Sequence, residues 1–156
     1  MKIRRASLAE FSANWYGGEP AGSQFRACLQ AATAELWVAK KNFKVVGKVY
    51  FFKALSDTDF ADATTRAYIT NFYVASQYRG QGIGTKLLEA IFAQLKQNGF
   101  SQVTIGVDES ESQNLRLYQK LGFVHEIKKC SVDPICVDEK QNPIPMSEFL
   151  LLAKYL

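Results

Sequence analysis

Cysteine and histidine are scarce in this sequence, whose 156 residues include three cysteines and one histidine. Cys28, Cys130 and Cys136 are odd in number and form no Cys-x-x-Cys pair. This pattern argues against a disulfide framework and against a zinc site. We expect buried or idle thiols and no bound metal.

Long apolar runs and concentrated charge are missing as well. No stretch approaches the roughly 20 apolar residues that cross a bilayer, and Met1 to Leu8 lacks the apolar core of a signal peptide. The formal net charge is +4, and the basic residues form short scattered runs rather than the patch typical of nucleic-acid binding. We expect a soluble, cytoplasmic protein with neither a membrane nor a nucleic acid as partner.

The chain does contain enough apolar material for one core. Apolar residues make up 47% and aromatic residues 13% of its 156 residues. Such a chain can bury one sizeable core and is too short for two ordinary domains. Residues 1–156 are therefore predicted to form a single domain.

One central segment reads as a strand, a glycine-rich loop and a helix. Ile69 to Val74 is rich in β-branched and aromatic residues, which favours a strand. Apolar residues recur at helical spacing from Ile83 to Leu95, and Gly99 stands where a C-terminal cap is expected. The glycines therefore fall where a strand passes into a helix.

That position suits an anion, because the first turn of a helix has unpaired N–H groups and the positive end of the helix dipole. Gly80, Gly82 and Gly84 leave room for a phosphate, and Arg79, Lys86 and the Thr85 hydroxyl add charge and a donor. A glycine-rich connection with no ligand is the alternative, since short glycine patterns often occur by chance.

The spacing of the glycines distinguishes between the known classes of phosphate-binding loop. A P-loop needs Gly-Lys-Ser/Thr, but Thr85 stands between Gly84 and Lys86. A dinucleotide fingerprint needs Gly or Ala where Thr85 stands, and a first glycine close behind the strand. What matches is Arg79-Gly80-Gln81-Gly82-Ile83-Gly84, which resembles the Arg/Gln-x-x-Gly-x-Gly/Ala signature of the GNAT superfamily of acyl-CoA-dependent N-acyltransferases.

A second stretch supports this resemblance. Leu117-Tyr118-Gln119-Lys120-Leu121-Gly122-Phe123 is similar to the family's Leu-Tyr-x-Lys-x-Gly-Phe segment. The resemblance implies an α/β (α+β) fold with a mixed, mainly antiparallel seven-stranded sheet, helices on both faces, and a splay between strands 4 and 5.

Residue patterns place the elements of that fold along the chain. Strands are predicted at Lys2–Ala6, Glu35–Lys40, Lys44–Leu55, Arg66–Val74, Gln102–Val107, Phe123–Val132 and Glu148–Leu156, and helices from near Leu8 after a Ser7 cap, around Gln24–Ala34, from Ile83, and at Gln113–Leu121. Asp133 to Met146 contains three prolines and is predicted to be a long connection.

The resemblance also implies an activity. The chain is expected to move an acetyl group from acetyl-CoA to a primary amine, on a small molecule or a protein, by direct attack through a tetrahedral intermediate. The implied cofactor-binding residues are Phe72, Tyr73 and Val74 for the pantetheine arm, with Asn114 as a substitute contact to the same arm, Arg79, Gly80, Gln81, Gly82, Ile83, Gly84 and Thr85 for the diphosphate, and Tyr118 near the cofactor sulfur. The Val74 N–H is the implied donor to the acyl oxygen.

Tyr118 is the candidate general acid, because the family commonly places a tyrosine hydroxyl near the cofactor sulfur, and a phenol can protonate a departing thiolate. A tyrosine that only packs between helix and sheet is the alternative. Many members have Asn seven residues before this tyrosine. Here that residue is Glu111, so Asn114, one helical turn before Tyr118, is the candidate substitute.

The sequence also lacks the strand-4 glutamate that serves many members as a base through water, offering Thr70 and Asn71 instead. Glu35, Asp108, Glu109 or water alone remain as candidates, with His125 as a second choice because histidine commonly acts as a base near neutral pH. Among aromatics, Trp15, Tyr16 and Phe25 either line an acceptor pocket or belong to the core.

Two other functions stay open on the same fold. One is transfer of a longer acyl chain, and the other is a non-catalytic acyl-CoA-binding sensor or interaction module. The acceptor amine has no signature in the sequence. The fold also allows a homodimer through the last strands.

Overall fold

The computed structural model describes residues 1–156, and the chain forms one seven-stranded sheet with helices on both faces. The strands are β1 (Lys2–Arg5), β2 (Ala34–Lys41), β3 (Lys44–Phe52), β4 (Arg66–Val74), β5 (Gln102–Val107), β6 (His125–Val137) and β7 (Pro143–Tyr155). The helices are α1 (Leu8–Ala13), α2 (Ala21–Gln30), α3 (Ile83–Gln97) and α4 (Ser112–Lys120), with a 3-10 turn at Ser76–Tyr78.

The strand order is β1-β2-β3-β4-β5-β7-β6. All neighbours are antiparallel except β4 and β5, which pair in parallel across the α3 connection. This confirms the predicted mixed, mainly antiparallel sheet. The bounds predicted for β4 and β5 are those observed.

Side-chain alternation along the strands places apolar clusters on both faces of the sheet. The α3 side of the sheet holds the larger cluster, in which Leu87, Leu88 and Ile91 of α3 pack against the sheet. On the opposite face, Phe11 of α1 and Phe25 of α2 pack against Tyr50 and Phe52 of β3. β3 therefore contributes to both faces, with Val49 and Phe51 on one and Tyr50 and Phe52 on the other, as period-2 alternation requires.

The N-terminus of α1 follows the predicted cap. The Ser7 hydroxyl accepts from the Glu10 backbone N–H, and a Glu10 carboxylate oxygen accepts from the Ser7 N–H, which forms a complete capping box. No helix of the structure combines the length and apolarity that crossing a membrane requires.

The long connection predicted between Asp133 and Met146 is wrong. β6 continues to Val137 and β7 begins at Pro143, so only a short turn separates them. The prolines fit because β6 is the edge strand, and because β5 pairs with β7 only from Leu150 onward. A missing N–H costs little where no neighbouring strand needs it.

Smaller differences concern ends of elements. α2 runs Ala21–Gln30 instead of Gln24–Ala34, since it begins directly after Pro20 and Ala34 already pairs in β2. β3 ends at Phe52, three residues before the predicted end, and β6 begins at His125 rather than Phe123. These shifts leave the site segments in place.

Asp62 fixes the start of β4, and Asp62→Ala is expected to cost about 2 kcal/mol of unfolding free energy. Its carboxylate accepts from the backbone N–H groups of Thr64, Thr65 and Arg66 at 2.8 to 3.1 Å and from the Thr65 hydroxyl. Burial opposes its ionisation, but these hydrogen bonds outweigh burial and lower the pKa of Asp62. The stabilisation is present above the ordinary carboxyl pKa and is lost as pH falls towards the lowered value.

Urea unfolding at pH 7 and at acid pH measures this contribution. Asp59→Ala is the matched control, because the Asp59 carboxylate lies in the same loop, is 53% exposed and meets only Lys128, at 3.0 Å. It should cost about 0.5 kcal/mol or less. Equal losses from the two variants would contradict the assignment of Asp62.

Candidate active site

A bulge in β4 opens the sheet at its centre. Lys48 lies opposite Tyr73 and Tyr50 opposite Thr70, so two residues of β4, Asn71 and Phe72, face one residue of β3. Asn71 takes a positive φ of 51° to make this turn. Pairing between β4 and β5 ends at Ile69 and Ile105. From Thr70 onward β4 has no partner on its β5 side, which is the predicted splay.

The end of β4 directs main-chain groups into this gap. Ala75 N–H donates to Val46 O at 2.8 Å, and Val74 lies opposite Gly47. Because hydrogen-bonded and non-hydrogen-bonded pairs alternate in an antiparallel ladder, the polar backbone groups of Val74 point away from β3. The Val74 carbonyl accepts from Arg79 Nε at 2.8 Å. The Val74 N–H is thereby aimed at the open side of the strand.

The glycine turn before α3 forms an open cradle of amides. Gly80 and Gly82 have φ of 76° and 80°, and a Cβ at either would meet nothing within 4 Å. The first helical hydrogen bond runs from Lys86 N–H to Gly82 O, and no side chain caps the helix. The N–H groups that precede it have no hydrogen-bond acceptor within the protein, and no acidic side chain lies in the first turn.

The other predicted loop residues divide by role. Gly84 permits close packing, since a Cβ there would lie 2.8 Å from the Phe72 ring. Ile83 is buried in the core, so only its backbone faces the turn. Arg79 is exposed, and its guanidinium lies 5.8 Å from the Tyr73 ring centre. Gln81 is exposed and Thr85 half-buried at the same end of α3.

Tyr118 lies on α4 beneath the gap and is 7% exposed. Its ring packs 6.4 Å from Phe72 and 6.1 Å from Phe123. Burial, and secondarily the Glu111 charge, raises the pKa of Tyr118 to about 12. The hydroxyl makes no hydrogen bond within the protein, and Tyr118 is one of the residues that line the cavities at the gap. It is a protonated donor without a partner.

Glu111 and Asn114 lie together at the same cavities. Asn114 Nδ2 donates to a Glu111 carboxylate oxygen at 2.7 Å, and both side chains are exposed. The Asn114 amide group is therefore oriented by Glu111, and its carbonyl oxygen is left to accept from a ligand.

The gap continues as a cavity of about 290 Å³ whose lining includes residues from both faces of the sheet. Tyr118 belongs to the core cluster on the α3 face, whereas Tyr68 and Phe149 belong to a cluster on the other face. All three line this one cavity. The cavity is therefore bordered by residues of both faces.

Of the carboxylates suggested as bases, only Asp108 lines this cavity. Hydrogen bonds from the Ser110 N–H and hydroxyl lower the pKa of Asp108. Glu35 is buried elsewhere, with Lys53 at 3.2 Å and the Trp37 N–H at 3.1 Å. Glu109 is exposed and meets Lys129 at 3.5 Å.

The remaining candidates lie outside the cavity as well. His125 is exposed and packs 4.6 Å from the Tyr155 ring. Trp15 and Phe25 pack 4.9 Å apart against the core. Tyr16 is 82% exposed and lines a second cavity with Lys48, whose other lining residues are Asn71, Phe72 and Tyr73 of β4.

The cavity also contains a buried, hydrogen-bonded pair, Tyr68 and Asp133, that the sequence analysis did not predict. Tyr68 donates its hydroxyl to Asp133 at 2.7 Å, and the two residues are 3% and 7% exposed. They are 65 residues apart, and Asp133 precedes a proline in the segment read as a connection. An Asp-Pro pair ordinarily indicates a turn, so no local signal distinguished this carboxylate.

A family model described as the Acetyltransferase (GNAT) family matches residues 2–123. The chain belongs to this family. The match spans the bulged β4, the glycine turn and the Tyr118 segment, and it confirms the GNAT resemblance seen in the two sequence motifs.

Individual GNAT relatives share parts of the chain. N-alpha-acetyltransferase 30 of Schizosaccharomyces pombe is 33% identical over 60 residues, 38% of this chain and 40% of that protein. N-acetyltransferase 8B of Homo sapiens is 32% identical over 87 residues, 56% of this chain and 37% of that protein. The chain thus spans less than half the length of these two curated relatives.

A solved structure shows the same GNAT fold. A GNAT family acetyltransferase from Elizabethkingia anophelis with acetyl-CoA bound superposes with a TM-score of 0.65 at 22% identity, covering 99% of this chain and 97% of that one. The similarity extends over β6 and β7, beyond the residues matched by the family model.

Proposed function

We propose that residues 1–156 form one catalytic domain that transfers an acetyl group from acetyl-CoA to a primary amine. The main support for this proposal is that one continuous segment of chain forms both parts of the site. β4 ends in the gap at Val74, and the amide cradle of α3 follows within ten residues, at Gly80 to Gly84. One segment can hold a long ligand that is anionic at one end and reactive at the other.

The cradle fits the diphosphate of coenzyme A. Its amides are unpaired, the space before Gly80 and Gly82 is open, and the positive end of the α3 dipole faces it. Arg79 and Lys86 add positive charge at the surface beside it. The other residues of this turn contribute to binding the diphosphate through their position in it; they are Gln81, Ile83, Gly84 and Thr85.

The gap fits the remainder of the cofactor. Phe72 and Tyr73 form its wall, and the Asn114 carbonyl offers an acceptor to the pantetheine arm. Acetyl-CoA supplies an activated thioester. The Val74 N–H is placed to donate to the acyl oxygen, on which negative charge develops during attack.

Tyr118 serves as the proton donor to the departing thiolate. A general acid must be protonated when it acts, and a pKa of about 12 keeps the phenol protonated throughout the physiological range. The unpartnered hydroxyl at the cavity has no competing hydrogen bond to break.

Release of free thiol from acetyl-CoA tests this function. Purified protein is expected to release thiol in proportion to added primary amine, with the acetylated amine as co-product by mass spectrometry. Trimethylamine is the control, because a tertiary amine cannot form the amide. The panel includes alkyl amines, diamines and short peptides, since no residue pattern identifies the acceptor.

The two named alternatives give other results. A sensor binds acetyl-CoA and releases no thiol above background with any amine. A longer-chain acyltransferase releases thiol faster from octanoyl-CoA than from acetyl-CoA. Either result would overturn the proposal.

A further inference from the structure

We infer that Asp133 binds the ammonium group of the acceptor and takes its proton, with Tyr68 holding the carboxylate in position. This inference rests on the proposed function, since it names the base of that reaction. Asp133 takes the role of the strand-4 glutamate, which this chain lacks because Thr70 and Asn71 stand at those positions.

Geometry puts Asp133 on the side from which an amine can enter. Asp133 and Tyr118 line the same cavity, Tyr118 from the α3 face and Asp133 with Tyr68 from the other. Met146 and Ser147 of β7 also line it and are exposed, so the cavity opens to solvent beside Asp133. An amine entering there passes Asp133 on its way to the gap.

The charge of the cavity fits a cation. Its lining includes Asp108, Glu111 and Asp133 and no lysine, arginine or histidine. Asp133 is the buried one of the three, at 7% exposed. Its two oxygens accept one hydrogen bond each, from the Tyr68 hydroxyl and the Ile135 N–H, which leaves lone pairs for an ammonium group.

The ionisation of Asp133 suits proton transfer. Burial raises the pKa of its carboxyl, and the hydrogen bonds from Tyr68 and Ile135 only partly offset this. Burial and the Asp133 charge together raise the pKa of Tyr68 well above its usual value, so Tyr68 remains a donor. The other titratable groups around the carboxyl are Asp108 after β5, Glu111 and Tyr118 on α4, and Cys130 and Cys136 on β6.

The ammonium gives one proton to Asp133, and the neutral nitrogen attacks the acyl carbon to form the tetrahedral intermediate. Collapse of this intermediate breaks the C–S bond and releases the thiolate. Tyr118 gives its proton to the thiolate and regains one from the nitrogen. Asp133 then releases its proton to solvent through the opening at Ser147.

A binding test requires no turnover. The Asp133 carboxyl is titrated by ¹³C NMR, with its resonance assigned by its loss in Asp133→Asn. Butylammonium is expected to lower the titration midpoint, because a cation stabilises the carboxylate. Butanol, the neutral control, should leave it unchanged. An equal midpoint with both probes overturns the inference, whether or not the protein releases thiol.

Kinetics then test the proton transfer with an amine that is turned over. At pH 7, Asp133→Asn is expected to lower kcat/KM about 100- to 1,000-fold. Wild-type kcat/KM should level off above the pKa of Asp133. In the variant it should keep rising towards the amine pKa of about 10.4, because only neutral amine can react. Two profiles of the same shape contradict the role.

Two further variants separate this role from a structural one. Tyr68→Phe removes a hydrogen bond to the charged carboxylate and should move the acid limb of the profile to higher pH. Glu126→Gln, an exposed carboxylate on the same strand, should leave kcat/KM unchanged. Asp133→Asn should be no less stable than wild type at neutral pH, because the raised pKa means that burying this charge costs stability above that pKa.

Discussion

Tyr118→Phe is expected to lower kcat for acetyl transfer about 100- to 1,000-fold. The hydroxyl has no partner within the protein, so its loss removes a proton donor and breaks no structural hydrogen bond. The ring contacts with Phe72 and Phe123 remain. Acetyl-CoA affinity and the free energy of unfolding should therefore stay close to those of wild type.

The pH dependence distinguishes this role from a general perturbation. Burial holds the pKa of Tyr118 at about 12, so the acid is present at every pH below that value. The kcat of the wild type should show no basic limb from this group below about pH 10, and the loss in Tyr118→Phe should be constant over that range.

Tyr155→Phe is the matched control, because Tyr155 is 58% exposed and lies beside His125, away from the cavity. Its kcat should equal that of wild type. If Tyr118→Phe turns over amines at the wild-type rate at all pH values, Tyr118 has no catalytic role.

Sequence patterns predicted the part of the site that is continuous along the chain. Arg66–Val74 and Gln102–Val107 have the β-branched, alternating character of buried strands, and the structure gives those bounds. The glycine turn is equally local, because Gly80 and Gly82 adopt positive φ angles that few other residues tolerate. These features depend on residues that are neighbours in the sequence, and local sequence patterns therefore predict them.

The bulge at Asn71 shows where local patterns fail. β4 reads as one continuous strand, and the residue pattern alone gives no sign that Asn71 turns to φ 51° or that the pairing of β4 with β5 ends at Ile69. The splay was expected only through the family resemblance. Register across three strands decides such a bulge, and register is a non-local property.

The hydrogen bond between Tyr68 and Asp133 could not be predicted from the sequence, for a related reason. Pro134, Pro143 and Pro145 indicated a loop, whereas edge position lets β6 and β7 keep them. Once Asp133 was taken as part of a loop, nothing linked it to Tyr68, which lies 65 residues earlier. A buried carboxylate becomes visible only when the sheet order is known.

Gly82→Asp is expected to weaken acetyl-CoA binding at least about 100-fold, or about 2.7 kcal/mol. The new carboxylate would occupy the open space before the α3 amides and repel the diphosphate. Its side chain would also be strained, because Gly82 has φ of 80°. A control variant must therefore distinguish the effect of backbone strain on binding from the effect of the added negative charge.

Gly99→Asp provides that separation. Gly99 has φ of 88°, is exposed and has open space around it, but it follows the opposite end of α3. This variant carries the same charge and comparable backbone strain without approaching the cradle. It should bind acetyl-CoA with wild-type affinity, even where both variants lose similar stability.

Calorimetric titration of acetyl-CoA into wild type, Gly82→Asp and Gly99→Asp measures whether the glycine turn binds the cofactor. We expect micromolar binding by wild type and Gly99→Asp, and none by Gly82→Asp over the same concentration range. Absence of binding by wild type, or equal binding by all three proteins, would contradict this expectation and leave the glycine turn as a connection between a strand and a helix.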